Sequence, residues 1–294
     1  MTSEQLTPIP ALQHTFDLFT LHLEAAGRSP RTLEYYRYTL GNFFQFLTQY
    51  CVQGPQDISP VHIRSFLLHL DRRGVKDTTV HAHARAIKAW LNFLEREEVI
   101  AANPMRKVEM PKVEHRIFPA FTQGEVEALL KACHSRRDRA IVLCLLDTGL
   151  RLAEFTALRV EDVGADGMIE VRGKGGKHRY VRLGKKARLA LSRYLLEEEI
   201  LSEAVWRGEQ GPLTASGVTQ LLRRVAQRAG VKNVHPHRFR RTFATWALKG
   251  GMDGHYLRWL LGHSSMDMVA RYLAPTRQDL EQSHAQASPV DNWP

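Results

Sequence analysis

The sequence predicts a mainly α-helical protein of two domains with one small β-hairpin. Three observations predict it. Apolar residues recur at three- and four-residue spacing along most of the chain, Ser-Pro and Gly signals bracket those runs, and a basic stretch punctuated by Pro104, Pro111 and Pro119 interrupts them. With 294 residues, 44% of them hydrophobic, there is enough apolar side chain for two buried cores.

Ile9, Leu12, Phe16, Phe19 and Leu23 mark a first amphipathic helix that stops near Gly27. Ser29-Pro30 supplies an N-cap and a proline at the first helical position, ahead of an apolar face from Leu33 to Leu47. Ser59-Pro60 repeats that start before Val61 to Leu70, and Gly74 ends the helix. A fourth helix begins around Thr78 or Thr79 and runs through Ile87, Trp90, Leu91 and Leu94. Residues 1–103 therefore read as a helical domain, and residues 104–119 as a linker.

The second domain, residues 120–294, opens with Thr122 capping a helix to about Cys133, Glu125 completing a capping box. A strongly apolar helix from Arg137 to Asp147 ends at Gly149, and another begins after Arg151. The β signal is confined to Met168 to Leu183, where two alternating runs flank Gly173-Lys174-Gly175-Gly176. Helices resume over Lys185 to Leu201, Ser216 to Ala229 and Pro236 to Leu248, then in two short pieces around Gly262. Phe239 and Phe243 are expected on the buried face of their helix, leaving the basic residues to point elsewhere. The polar residues from about Gln282 read as a mobile tail unless a partner subunit orders them.

Composition narrows the function. Lys and Arg outnumber Asp and Glu by 41 to 31, and a net charge of +10 suits a polyanion binder. No apolar run is long enough to span a bilayer, and Met1 to Gln5 carry no secretory pattern, so a cytoplasmic protein without a membrane partner is expected. Cys51, Cys133 and Cys144 lack any C-x-x-C spacing and read as buried or inert thiols, not as a disulfide framework or a zinc site. Neither H-E-x-x-H nor a Walker-type phosphate loop occurs.

Several cationic or proton-transferring residues lie at turns and helix starts. Arg151 follows a helix stop, and Lys174 sits at the hairpin tip. Each alone also fits a solvated surface charge. His237 and Arg240, three apart behind Pro236, share a face near the positive end of a helix, a geometry suited to phosphate. Leu261-Gly262-His263 reads as a helix closed by a left-handed glycine, with Ser264 or Ser265 capping the next helix, which carries Tyr272. On one continuous helix His263 and Tyr272 would be roughly half a turn out of phase, whereas a bend lets them meet.

Together these motifs resemble those of the tyrosine site-specific recombinases of the phage-integrase or Xer type. The family's first arginine box is similar to Thr148-Gly149-Leu150-Arg151-Leu152-Ala153-Glu154, its hairpin lysine to Lys174, its H-x-x-R box to His237 through Arg240, and its Leu-Gly-His box to Leu261-Gly262-His263. Tyr272 follows at the family's spacing for the nucleophile. Ala153, Arg241 and Met268-Val269 depart from common family choices but remove no catalytic group. The resemblance covers roughly residues 104 to 285, and the helical first half resembles the family's core-binding domain.

The resemblance implies a helical core-binding domain and an α+β catalytic domain forming a clamp on double-stranded DNA. It implies that Arg151 and Arg240 clamp the phosphate, that His237 and His263 relay protons, and that Glu154 orients a catalytic side chain or its helix. Tyr272 attacks to form a 3′-phosphotyrosine, and Lys174 protonates the leaving 5′-oxygen. Recombination then passes through a Holliday junction without metal, cofactor or ATP. Arg28, Arg31, Arg37, Lys76, Arg85 and Lys88, with Lys177 and Arg241 in the second domain, are the expected DNA-binding cations. Two duplexes and four active sites imply a homo-tetramer, or a hetero-tetramer with a sister recombinase, and residues 276–284 are the candidate segment for docking onto a neighbour.

Two other readings remain at this point. A type IB topoisomerase would use the same chemistry while swivelling one duplex as a monomer; the compact linker and the Xer-like first half argue against it. A catalytically silent DNA-binding regulator would typically lose part of the catalytic set, whereas all six positions are present.

Overall fold

Serine or threonine caps open many of the helices in the computed structural model, which describes residues 9–113, 119–172, 178–199, 204–262 and the isolated positions 281, 284–285, 288, 290–291 and 293. Lys174, Lys177, His263 and Tyr272 lie outside the described residues, as do the expected helix start at Ser264 or Ser265 and most of residues 276–284. The chain divides into two compact units, Met1–Arg116 and Ile117–Pro294.

In the first unit, α1 (Pro10–Ala25), α2 (Pro30–Leu47), α3 (Pro60–Arg72) and α4 (Asp77–Arg96) form the helical set. Ser29 and Ser59 accept from the backbone N–H groups of Thr32 and His62, and Pro30 and Pro60 follow at the first helical position. The core is aromatic. Phe44 meets Trp90 edge-on at 5.0 Å and Phe43 lies 5.1 Å from Phe66, with Leu12, Leu40, Ile63 and Ile87 wholly buried around them. Pro104–Lys107, expected at the start of the linker, form a short 3-10 helix, and Met105 and Val108 are buried in this same core.

The second unit begins with α5 (Gln123–Lys131), whose capping box is complete: Thr122 Oγ1 accepts from Glu125 N and Glu125 Oε2 from Thr122 N. The buried α6 (Arg136–Thr148) packs against both α8 (Lys185–Glu197) and α10 (Pro236–Lys249). Between them lie the one-turn α7 (Leu152–Thr156) and the hairpin of β1 (Met168–Arg172) and β2 (His178–Arg182), antiparallel, with Val171 opposite Arg179. α9 (Ala215–Ala229) and α11 (Gly254–Leu261) complete the regular elements.

Two expectations of secondary structure are corrected. α8 stops at Glu197, short of Leu201, where the chain turns through Glu199 with φ of 48°. A second, two-residue pair, β3 (Arg207–Gly208) and β4 (Gly211–Pro212), has too little alternation to read in sequence. It follows Trp206, whose ring stacks on Phe155 at 4.5 Å and on Tyr194 at 5.7 Å, joining α7 to α8. Cys51 is exposed, whereas burial pushes the Cys133 thiol up to about 11 and raises the wholly buried Cys144 further.

Candidate active site

α6 ends at Gly149, in the left-handed region with φ of 57°. Glycine is required there twice over: an L side chain is strained at that angle, and an added Cβ would sit 2.4 Å from the Phe243 ring. The turn delivers Arg151 to the N-cap of α7, where its backbone N–H donates to Glu154 Oε2 at 2.9 Å and its Nη1 to Glu154 Oε1 at 2.9 Å.

A second arginine reaches the same carboxylate. Arg179 donates from Nη1 and Nη2 to the two Glu154 oxygens at 3.0 and 2.7 Å. Burial raises the Glu154 carboxyl, but the bonds from Arg179 and then Arg151 outweigh it, holding the group below its ordinary 4.5 and therefore ionised. Sequence reasoning missed Arg179. Its signal was present in the strand alternation, since Ile169, Val171 and Val181 are the inward residues of the hairpin and Arg179 is the charged exception among them.

Pro236 starts α10, which the sequence reading expected to bury its phenylalanines and turn its cations away. The first half of that is met by the wholly buried Phe239, but Phe243 is only partly buried. Arg238 and Arg240 are themselves buried, at 6% and 5% exposed. The reason is that α10 is enclosed on more than one side, by α6 and α11 and by the chain at Phe121, so guanidinium heads are satisfied by protein acceptors in place of water. Arg240 donates to Gly149 O at 2.7 Å and Leu261 O at 2.6 Å. Arg238 grips both Glu125 oxygens at 2.8 Å and lies 4.0 Å over the Phe121 ring.

The bonds of Arg151, Arg179 and Arg240, but not those of Arg238, converge on the C-terminal end of α11. Leu260 O accepts from Arg179 Nε at 2.8 Å, Leu261 O from Arg240, and Gly262 O from Arg151 Nη2 at 2.8 Å. The last carbonyls of a helix lack intrahelical partners and sit at the negative end of its dipole, so cations belong there. Three arginines from three different elements thus cap three consecutive carbonyls. Gly262, left-handed with φ of 62°, lets the chain pass close; a Cβ there would lie 3.3 Å from both Arg151 Nη1 and Arg179 Cζ.

Of the expected catalytic residues, Arg151, Arg240 and the accompanying Glu154 are brought together, and the next residue after Gly262 is His263. Arg151 keeps 42% of its side chain exposed, and among the described residues only two of its five donors are engaged. His237 is exposed on the first turn of α10, beside His235, whose charged form is disfavoured by burial, then by His237 and Arg238. Arg241 is half-buried. The site therefore offers an exposed guanidinium edge backed by permanent positive charge, an arrangement suited to an oxyanion.

In the first unit Arg28, Arg31, Arg37, Lys76, Arg85 and Lys88 are all exposed. Arg85, on α4, acts on Tyr35 of α2, whose hydroxyl donates to Ala82 O, whereas Arg37 lines a groove with Gln13, Asp17 and Thr20 of α1. Among the described residues no group of His, Cys, Asp or Glu is placed to hold a metal ion, and no helix is long and apolar enough to cross a membrane.

Residues 119–279 match the model of the phage integrase family, and residues 16–98 that of the phage integrase N-terminal SAM-like domain. The tyrosine recombinase XerC of Oceanobacillus iheyensis is 31% identical over 298 aligned positions, covering 96% of this chain and 98% of that protein. The tyrosine recombinase XerD of the same organism is 30% identical, covering 88% and 93%. Among solved structures, a lambda integrase dimer bound to a COC′ core site has the same fold at a TM-score of 0.74 and 19% identity, covering 89% of this chain and 76% of that one.

Proposed function

Because the chain belongs to the phage integrase family of tyrosine recombinases, we propose that it is a site-specific DNA recombinase that cuts and rejoins double-stranded DNA through a covalent bond to Tyr272. The observation that carries this reading is the meeting of Arg151 and Arg240 on adjacent carbonyls, Gly262 O and Leu261 O, immediately before His263.

A phosphodiester is an anion, and attack on it adds charge at the phosphorus oxygens. Arg151 binds those oxygens through its exposed edge, and the buried Arg240 adds fixed positive charge that needs no reorganisation as the reaction proceeds. A tyrosine hydroxyl with an ordinary pKa near 10 is a weak nucleophile at neutral pH, and such a cationic site favours its phenolate. Tyr272 forms the bond to phosphorus as the bond to the 5′-oxygen breaks; Lys174 protonates that oxygen, while His237 and His263 handle protons around the phosphate. The 3′-phosphotyrosine conserves the energy of the broken bond, so a 5′-hydroxyl from a second duplex reseals it without ATP. Reciprocal exchange passes through a Holliday junction on a tetramer of this chain, or of this chain with a sister recombinase, acting on cytoplasmic DNA. Both domains, Met1–Arg116 and Ile117–Pro294, contact the duplex.

The test is a nicked duplex carrying the candidate site, incubated in EDTA with the wild type and with Tyr272→Phe, then resolved on a denaturing gel. A protein–DNA adduct formed by the wild type alone is expected. No adduct on a demonstrably bound site would overturn the reading in favour of a DNA-binding regulator. Relaxation of plasmid lacking any site, by a monomer, would point to a topoisomerase.

A further inference from the structure

Arg179 is placed as no surface arginine would be. It stands at an inward position of β2, opposite Val171, with only 7% of its side chain exposed, so it does not reach a substrate. Its guanidinium is nonetheless fully directed: Nη1 and Nη2 fork onto Glu154, and Nε donates to Leu260 O. We propose that Arg179 is a positioning residue for DNA cleavage, locking Arg151 through Glu154 and tying the end of α11 to the hairpin that carries residues 173–177. The proposal rests on the recombinase reading above.

Three features support it. Glu154 Oε1 is shared, accepting from Arg151 and Arg179 alike, so the orientation of the exposed guanidinium depends on a carboxylate that Arg179 holds from the other side. Without that second grip, Glu154 is held only by Arg151 itself, through its backbone N–H and Nη1, and nothing outside α7 fixes where the pair points. Second, Arg179 and Arg151 take carbonyls two residues apart on one helix end, so the strand and α7 are registered against the same backbone, one residue before His263. Third, β1 and β2 are in antiparallel register up to Arg172 and His178, so whatever pins Arg179 also pins the strand ends on either side of Lys174 in the sequence.

The chemistry of the fork makes the idea separable from a charge effect. Lysine would keep a cation in the same place but offers a point charge, which cannot hold both Glu154 oxygens and Leu260 O in one plane. Burying a charged pair is also weak as a stabilising device, since an apolar side chain of similar volume often does as well. A directional role is the better account of an arginine at this position.

The experiment measures single-turnover adduct formation on the nicked duplex at saturating protein for the wild type, Arg179→Lys, Arg179→Gln, Glu154→Gln and the Arg179→Lys/Glu154→Gln double variant, with DNA affinity and melting temperature alongside. Arg179→Lys is expected to bind DNA within about twofold of wild type while its saturating cleavage rate falls by about 10- to 100-fold, the scale of a roughly 1 Å misplacement. The double variant should be no slower than the slower single variant, because both changes act through one carboxylate. Wild-type cleavage by Arg179→Lys, or losses that multiply in the double variant, would overturn the proposal. So would lost affinity or melting temperature that accounts for the lost rate in both Arg179 variants. If the wild type forms no adduct, it is the recombinase reading that fails; an adduct from the wild type together with unimpaired Arg179→Lys sinks the positioning role alone.

Discussion

The two units of this protein treat arginine in opposite ways. Throughout the described part of the first, every arginine is exposed, and the interior is built from rings such as Phe43, Phe66 and Trp90. The second keeps Arg179, Arg238 and Arg240 at 5–6% exposure and gives each its own acceptors: Glu154 with Leu260 O, Glu125 with Pro119 O and Lys232 O, and Gly149 O with Leu261 O. A buried guanidinium without acceptors would be severely destabilising. The contrast separates two uses of positive charge. A solvated arginine attracts phosphate from any direction and carries little geometry, whereas a buried one is oriented before the substrate arrives.

Substitutions in each unit should break along that line. The largest effect is expected from Trp90→Ala, which empties the aromatic core of the first unit and should cost about 3–5 kcal/mol in urea unfolding followed by circular dichroism. Cleavage per folded molecule should survive it. Arg240→Met should strike the chemistry instead, lowering single-turnover cleavage per folded molecule by about 10²- to 10³-fold, equivalent to about 2.7–4 kcal/mol of transition-state stabilisation, with DNA affinity nearly kept.

Arg238→Met sharpens the comparison within the second unit, because Arg238 is as buried as Arg240 yet bonds the start of α5 and not the α11 end. It should lower stability by about 2 kcal/mol, through lost charged hydrogen bonds, and leave cleavage per folded molecule unchanged. A fall in cleavage as large as that of Arg240→Met would erase the distinction.

The Arg–Glu networks also predict a pH dependence. Glu154 is raised by burial and lowered further by Arg179 and Arg151; Glu125 is raised by burial and lowered further by the Thr122 N–H and Arg238. Both carboxyls therefore titrate below their ordinary 4.5 in the folded protein. A depressed folded value means stability that is fully present above the unfolded value and is lost as pH falls through the folded one. Urea midpoints should thus hold above pH 4.5 and decline below it, and Glu154→Gln should show a shallower decline. The smallest effect on stability belongs to Arg85→Ala in the first unit, expected within about 0.5 kcal/mol. Its mark should appear instead in DNA binding, as a salt-dependence slope reduced by about one.

By itself the sequence determined the features that depend on near neighbours. Ser29-Pro30 and Ser59-Pro60 start helices where expected, the Thr122–Glu125 capping box forms, and Gly149 and Gly262 end their helices left-handed. Each is a contact within a few residues, so the local pattern contains its cause. The order of the arginine, histidine and glycine motifs likewise marked Arg151, Glu154 and Arg240 before any fold was known.

Tertiary structure alone decided which cations are buried and what they hold. Arg240 is satisfied by a carbonyl 91 residues away in sequence, Arg238 by a carboxylate 113 away, and Arg179 by a carbonyl 81 away. Helix periodicity assigned α10 one apolar face and turned its arginines outward; packing against several elements turned them inward instead. The physical reason is that an arginine reads as polar in any sequence pattern, and only the arrival of distant acceptors makes its burial affordable.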